Sequence, residues 1–264
     1  MRIFALSDLH TDFRDNRALL DRLPAHAYRD DALIVAGDVA DRLETIGETL
    51  GFLRSRFAEV FFVPGNHELW VRNDARDSVQ KFAAVLELCD SLGVRTRPAR
   101  AAGRWVVPLF SWYTADFDRH GSAAQAELDA WSDFYFCHWP ASVPRPDEYF
   151  AALNARHVRR YDAPVVSFSH FVPRLDLLPP VRYLGFKGLP RVAGSERIEE
   201  QIRLIGSAVH VFGHTHIMED RVTDGVRYVQ NWLRPLHSGA VPDAPLKLIH
   251  EEEEVPGRVQ PLFC

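Results

Sequence analysis

Five short polar stretches carry the residues able to do chemistry. They are Asp8 with His10, Asp38 with Asp41 and Arg42, Asn66 with His67, a lone His170, and His214 with His216. Two carboxylates (Asp8 and Asp38), the amide of Asn66 and up to five imidazoles make a mixed nitrogen and oxygen donor set with no thiolate. Such a set suits Mn, Fe or Zn better than Ca or Mg. Residues two apart in an extended segment point the same way, so Asp8 and His10 can grip one ion, and His214 and His216 stand in the same relation. Seven or eight donors exceed what one ion needs. Two ions sharing a carboxylate fit better, as in hydrolytic sites whose metals lie about 3.5–4 Å apart.

The elements that must position these groups are legible in the hydrophobic pattern. Apolar runs at 2–6, 32–36 and 60–63 read as strands, the second covered on both faces. Helical periodicity follows each of them, with Leu19, Leu20 and Leu23, then Ile46, Leu50, Leu53 and Phe57, then Val79, Phe82, Leu86 and Cys89 closing near Gly93. Alternation of strand and helix over the first ninety residues predicts parallel strands with right-handed crossovers. Further strands are predicted at 105–110, 163–169, 208–212 and 247–250. A hairpin joins Glu219–Thr223 to Val226–Gln230 across Asp224-Gly225, and Ser195 caps a helix with Ile198, Ile202 and Ile205 inward. Each donor stretch then sits at the carboxyl end of a strand, where open α/β sheets collect ligands. The aromatic-rich stretch 111–161 reads as an insertion or lid on a single domain spanning 1–264, and 171–194 as an irregular loop.

The composition limits the alternatives. A net charge of −5, from 31 basic and 36 acidic residues, creates no overall field to draw nucleic acid or an anionic membrane. Cys89, Cys137 and Cys264 are odd in number and lack CxxC spacing, which argues against a disulfide framework or a thiolate zinc site. The strand at 2–6 leaves no room for a signal peptide, and no apolar run is long enough to span a membrane. A cytoplasmic location is expected.

The ordered series D-x-H, G-D-x-x-D-R, G-N-H-E, H and G-H-x-H, running from Asp8 to His216, resembles the calcineurin-like metallophosphoesterases. Any one motif is weak; five in order, each after a strand, are specific. The resemblance implies an α/β fold, a sandwich of two mixed sheets flanked by helices. It also implies two divalent or trivalent metal ions. Asp8, His10 and His216 would hold one, Asn66, His170 and His214 the other, and Asp38 would bridge them. His67 would act at the leaving oxygen, Asp41 would orient His67 and favour its charged form, and Arg42 would hold the phosphate. The implied reaction is hydrolysis of a phosphate ester by a metal-bridging hydroxide. Arg42 leans toward phosphomonoesters of small molecules.

A phosphodiesterase of cyclic nucleotides or other nucleotide diesters is the alternative, and a non-catalytic metal-binding scaffold the alternative of another class. Taken singly, Asp8 would read as a cap, Asp41-Arg42 as a surface ion pair and His170 as a core histidine. Glu68 reads as structural. Arg174, Arg182 and Lys187 read as loop charges, and the histidines at 26, 120, 138, 157, 210, 237 and 250 as surface or packing residues.

Overall fold

The computed structural model describes residues 1–72, 75–119, 128–233 and 245–252. Cys264, His120, His237 and the last two glutamates of the 251–254 run lie outside them.

The first sheet joins β1 (Arg2–Leu6), β2 (Ala32–Val35) and β3 (Glu59–Phe62) in parallel, with β10 (Lys247–Glu251) antiparallel on the far side of β1. Alternation along these strands separates two cores, because successive side chains leave opposite faces. Phe4, Leu6, Leu33, Val35, Val60 and Phe62 pack outward with residues of three helices, α1 (Arg14–Leu20), α2 (Leu43–Arg54) and α3 (Ser78–Leu92). Ile3, Ala5, Ile34 and Phe61 turn inward and meet the second sheet. Helix α3 opens on a capping box between Asp77 and Gln80 and ends at Gly93, whose φ of 66° is the left-handed stop glycine tolerates best.

The second sheet runs β4 (Ala99–Ala101), β5 (Arg104–Pro108), β6 (Val165–Phe168), β7 (Ser207–Phe212), β9 (Val226–Gln230) and β8 (Glu219–Thr223) in spatial order. Its four inner strands are parallel and its two outer strands antiparallel, so both sheets are mixed. The hairpin turn at Asp224-Gly225 has positive φ at both residues, as a tight two-residue turn demands.

The stretch 111–161 shares the inter-sheet core: Trp112, Tyr113, Phe117 and Phe150 are buried in the same cluster as β5, β6 and β7. Its described residues include the α-helices α4 (Asp133–Phe136) and α5 (Pro146–Asn154). Proline reads as a breaker in the sequence, yet Pro146 occupies the first helical turn, where its missing N–H costs nothing. The loop 171–194 holds two single 3-10 turns and the short helix α6 (Pro190–Ala193). Helix α7 (Glu196–Ile205) follows, capped by the Ser195 side chain and buried along Ile198, Ile202 and Ile205. The result is an α/β fold of two mixed sheets flanked by helices. Cys89 and Cys137 are free and buried. Among the described residues, no helix is long and apolar enough to cross a membrane.

Candidate metal centre

The carboxyl ends of β1, β2, β3, β6 and β7 converge on one point. The turn after β1 lies against the turn after β2 through Asp8 N to Gly37 O (3.0 Å) and His10 N to Asp38 O (2.9 Å). The turn after β7 joins them when the His214 N–H donates to Asp8 Oδ1 at 2.8 Å. Five of the sequence-predicted residues pay a backbone cost to be there. Asp8, His10, Asp38, His214 and His216 all have φ between 42° and 74°, a region that costs a non-glycine residue of order 1–3 kcal/mol. Asp8 and His10 therefore do not meet as alternate residues of an extended strand, as their spacing suggested. β1 ends at Leu6, and two left-handed residues fold the donors toward each other.

Three groups of donor atoms, each within 4.8 Å of one another, result: Asp8, His10 and His216; His10, Asp38 and His67; Asp38, His170 and His214. Asp38 belongs to two of them. The H-x-H pair at 214 and 216 divides, one imidazole to each outer group. His10 Nε2 and His216 Nε2 face each other at 3.1 Å, and His10 Nδ1 is buried with no partner among the described residues. Crowded imidazole nitrogens beside buried carboxylates fit divalent cations.

Backbone carbonyls set the ring tautomers. His170 Nδ1 lies 2.8 Å from Ala36 O and His214 Nε2 lies 2.9 Å from Val192 O. Each of those nitrogens must carry the proton, because a carbonyl can only accept. The opposite nitrogens, His170 Nε2 and His214 Nδ1, each 3.1 Å from Asn66 Oδ1, are the ones turned toward a metal. Glycine makes this closeness possible at Gly65, where a Cβ would stand 2.2 Å from Asp38 Oδ1. The charges follow the crowding. Burial alone would raise the Asp38 carboxyl, but His170 and His67 hold it well below the usual range. Burial lowers the His170 imidazole, and Asp38 more than reverses this, bringing it up to about 9. Burial leaves His214 at about 3.

Two further carboxylates complete the site. Glu68, fully buried, accepts from the backbone N–H groups of Asp38 (3.0 Å), Val39 (2.5 Å), Ala40 (3.2 Å) and Gly65 (2.6 Å). It ties the β2 turn to the β3 turn, and burial pushes its carboxyl up to about 7. Asp133 is the residue that motif reading missed. It accepts from Asn66 Nδ2 (2.9 Å), Trp70 Nε1 (2.6 Å) and Trp131 Nε1 (2.8 Å). Because Asn66 donates its nitrogen to Asp133, its oxygen must face His170 and His214. The only trace of this in the sequence is a lone acid between Trp131 and Phe134.

The three residues expected to do chemistry are placed differently from one another. His67 lies in the site, its Nε2 3.9 Å from Asp38 Oδ2 and its ring 3.7 Å from that of Trp70. Burial pushes its imidazole down to about 4, against the pull of Asp38, so the charged form expected from an aspartate partner does not prevail. Asp41 turns its carboxylate to Arg72 at 3.6 Å, and among the described residues no hydrogen bond joins it to His67. Arg42 is 71% exposed and pairs with Glu44 at 3.0 Å, so the structure does not bring its guanidinium to the other site residues. Of the loop charges, Lys187 donates to the carbonyls of Val181, Arg182 and Leu184.

A pocket of about 640 Å³ opens over the imidazoles, walled by Phe13, Trp131, Tyr183, Leu184, Phe186 and Leu189. Trp131 stacks flat on Phe186. Its lining includes no Lys or Arg among the described residues.

A fold of two mixed sheets with this cluster at their carboxyl edge is that of a metallophosphoesterase. Residues 1–218 match the calcineurin-like phosphoesterase family, and the chain belongs to it. It is 33% identical, over 254 residues, to the [acyl-carrier-protein] phosphodiesterase PptH of Mycobacterium tuberculosis, covering 86% of this chain and 75% of that protein. The crystal structure of phosphopantetheinyl hydrolase (PptH) from the same organism superposes with a TM-score of 0.75 at 26% identity, covering all of this chain and 98% of that one. The chain is a phosphoester hydrolase, and its family implies divalent metal ions.

Two substitutions test the buried carboxylates. Glu68→Gln turns an N–H group toward N–H donors and is expected to cost about 2–3 kcal/mol in denaturant unfolding; an unchanged midpoint would show that the clamp is dispensable. Asp133→Ala frees the Asn66 amide to turn and is expected to weaken metal affinity about 10- to 100-fold in a titration. Unaltered affinity would show that Asp133 does not hold Asn66 in place.

Proposed function

We propose that this chain hydrolyses a phosphodiester, and that the diester joins a phosphopantetheinyl group to the hydroxyl of a carrier protein. The observation that carries the diester reading is a pocket whose lining, among the described residues, has no lysine or arginine. A terminal phosphate is a dianion and is commonly met by a guanidinium or ammonium group, and the expectation of a monoester rested on Arg42, which faces solvent beside Glu44. A diester carries one negative charge and two organic substituents, which suits apolar and aromatic walls. The relative named for acting on acyl carrier protein supports the same reading.

Asp8, His10 and His216 would hold one ion and Asn66, His170 and His214 the other, with Asp38 between them. When bound, two such ions supply a nucleophile from water at neutral pH and neutralise the phosphoryl oxygens. The chain's own groups do the rest. His170 and His214 keep their outer nitrogens protonated on Ala36 O and Val192 O, so their inner nitrogens are the ones that would bind an ion, His170 giving up its inner proton on binding. Asp133 holds the Asn66 oxygen inward. His67, neutral near pH 7, offers one N–H to the leaving oxygen and stabilises the charge developing there. Water adds its oxygen to phosphorus, the bond to the alcohol breaks, and the proton released by the water ends on the displaced oxygen. The products are one monoester and one alcohol.

Manganese-loaded protein assayed with bis(p-nitrophenyl) phosphate and p-nitrophenyl phosphate tests the diester reading. Its expected kcat/KM is at least about tenfold higher for the diester, equivalent to roughly 1.4 kcal/mol of transition-state discrimination. A preference for the monoester would overturn it.

A further inference from the structure

The loop 171–194 walls two cavities. One is the pocket over the imidazoles. The other, of about 1120 Å³, adjoins it at Pro179 and Ile217, which line both. The second cavity holds none of the metal-centre residues. Its inner surface is apolar, from Leu175, Leu177, Leu178, Pro180, Val181 and Met218. Its volume slightly exceeds the roughly 300–1,000 Å³ that small-molecule sites use, which leaves room for an extended chain.

The arginines around it are all engaged, and the balance of charge is acidic. Arg174 bonds to Asp176, Asp224 and Glu199. Arg119 pairs with Glu196, and Arg221 pairs with Glu219 and donates to Asp176 O. Against these three arginines the lining carries Asp118, Asp176, Glu196, Glu199, Glu200 and Glu219. Six carboxylates to three guanidinium groups, each already paired, repel an anion and offer it no free partner. A second phosphate, as a nucleotide substituent would bring, does not suit this cavity. An uncharged chain does, because apolar walls cover its carbon atoms while the rim carboxylates and carbonyls accept from its amides.

We infer that this second cavity is the subsite for the neutral, amide-bearing chain esterified to the phosphate, entering over Pro179 and Ile217 while the phosphorus sits at the imidazole cluster. The assignment rests on the diester reading above for the identity of the chain, and it excludes nucleotide diesters as good substrates.

Equilibrium binding of pantetheine, which has the chain but no phosphate, separates the two claims, since it requires no turnover. Titration of the metal-loaded protein is expected to show saturable binding in the millimolar range, or about −4 kcal/mol. A chain of equal length ending in a carboxylate is expected to bind about tenfold more weakly. Met218→Trp, which narrows the cavity from the β8 side, is expected to weaken pantetheine binding about tenfold with an unchanged melting transition. Val181→Trp fills it from the loop side and serves if the first variant is unstable. Absence of pantetheine binding by the native protein would overturn the subsite, as would equal affinity in both well-folded tryptophan variants. Failure to hydrolyse bis(p-nitrophenyl) phosphate, with pantetheine still bound, would sink the diester reading and leave the subsite standing.

Discussion

The site depends on one carboxylate withdrawn from water. Asp38 is 2% exposed, and three imidazole nitrogens lie 3.4–3.9 Å from its Oδ2. A charge so buried is costly unless it is paired and hydrogen-bonded. The surroundings supply both kinds of compensation. His170 carries the nearest positive character, the His67 N–H group of the backbone donates to Oδ1 at 3.1 Å, and Glu68 fixes the turn on which Asp38 sits. Glu68 can do so only because four backbone N–H groups from two turns converge on it. The strained left-handed residues and the close approach at Gly65 are the consequence of bringing five strand ends around this carboxylate.

Much of this was legible from the chain. Strands β1, β2 and β3 stand where the apolar runs placed them to within a residue or so, because a fully buried parallel strand has few alternatives at that length. The stop at Gly93 and the turn at Asp224-Gly225 were readable because each needs a backbone that few other residues adopt. The donors Asp8, His10, Asp38, Asn66, His170, His214 and His216 are drawn together because all follow strands of a common direction, and strand direction is a property the pattern encodes.

What was not legible depends on distant contacts or on the choice among rotamers. Asp133 stands 67 residues from Asn66, in a stretch whose aromatic composition marks burial but not partners. Arg42 sits two residues from Glu44 and faces water, which no motif spacing can reveal. Burial outweighs the carboxylate at His67, whose ring packs on Trp70, and the spacing of the motif does not show how deeply that ring is withdrawn from water. The short D-x-H spacing gave the right neighbours by a wrong geometry. On the reading proposed above, the substrate would carry bulk on both sides of phosphorus, against a loop that the sequence marked only as proline-rich.

Metal content, measured by mass spectrometry of elements on the purified, manganese-loaded protein, tests the central claim most directly. With Asp38 shared between two ions, the native chain should carry about two equivalents, as a two-metal hydrolase does, and Asp38→Asn should lose most of both. A native chain with one equivalent, or an Asp38→Asn protein that keeps both, would contradict a paired centre built around this carboxylate.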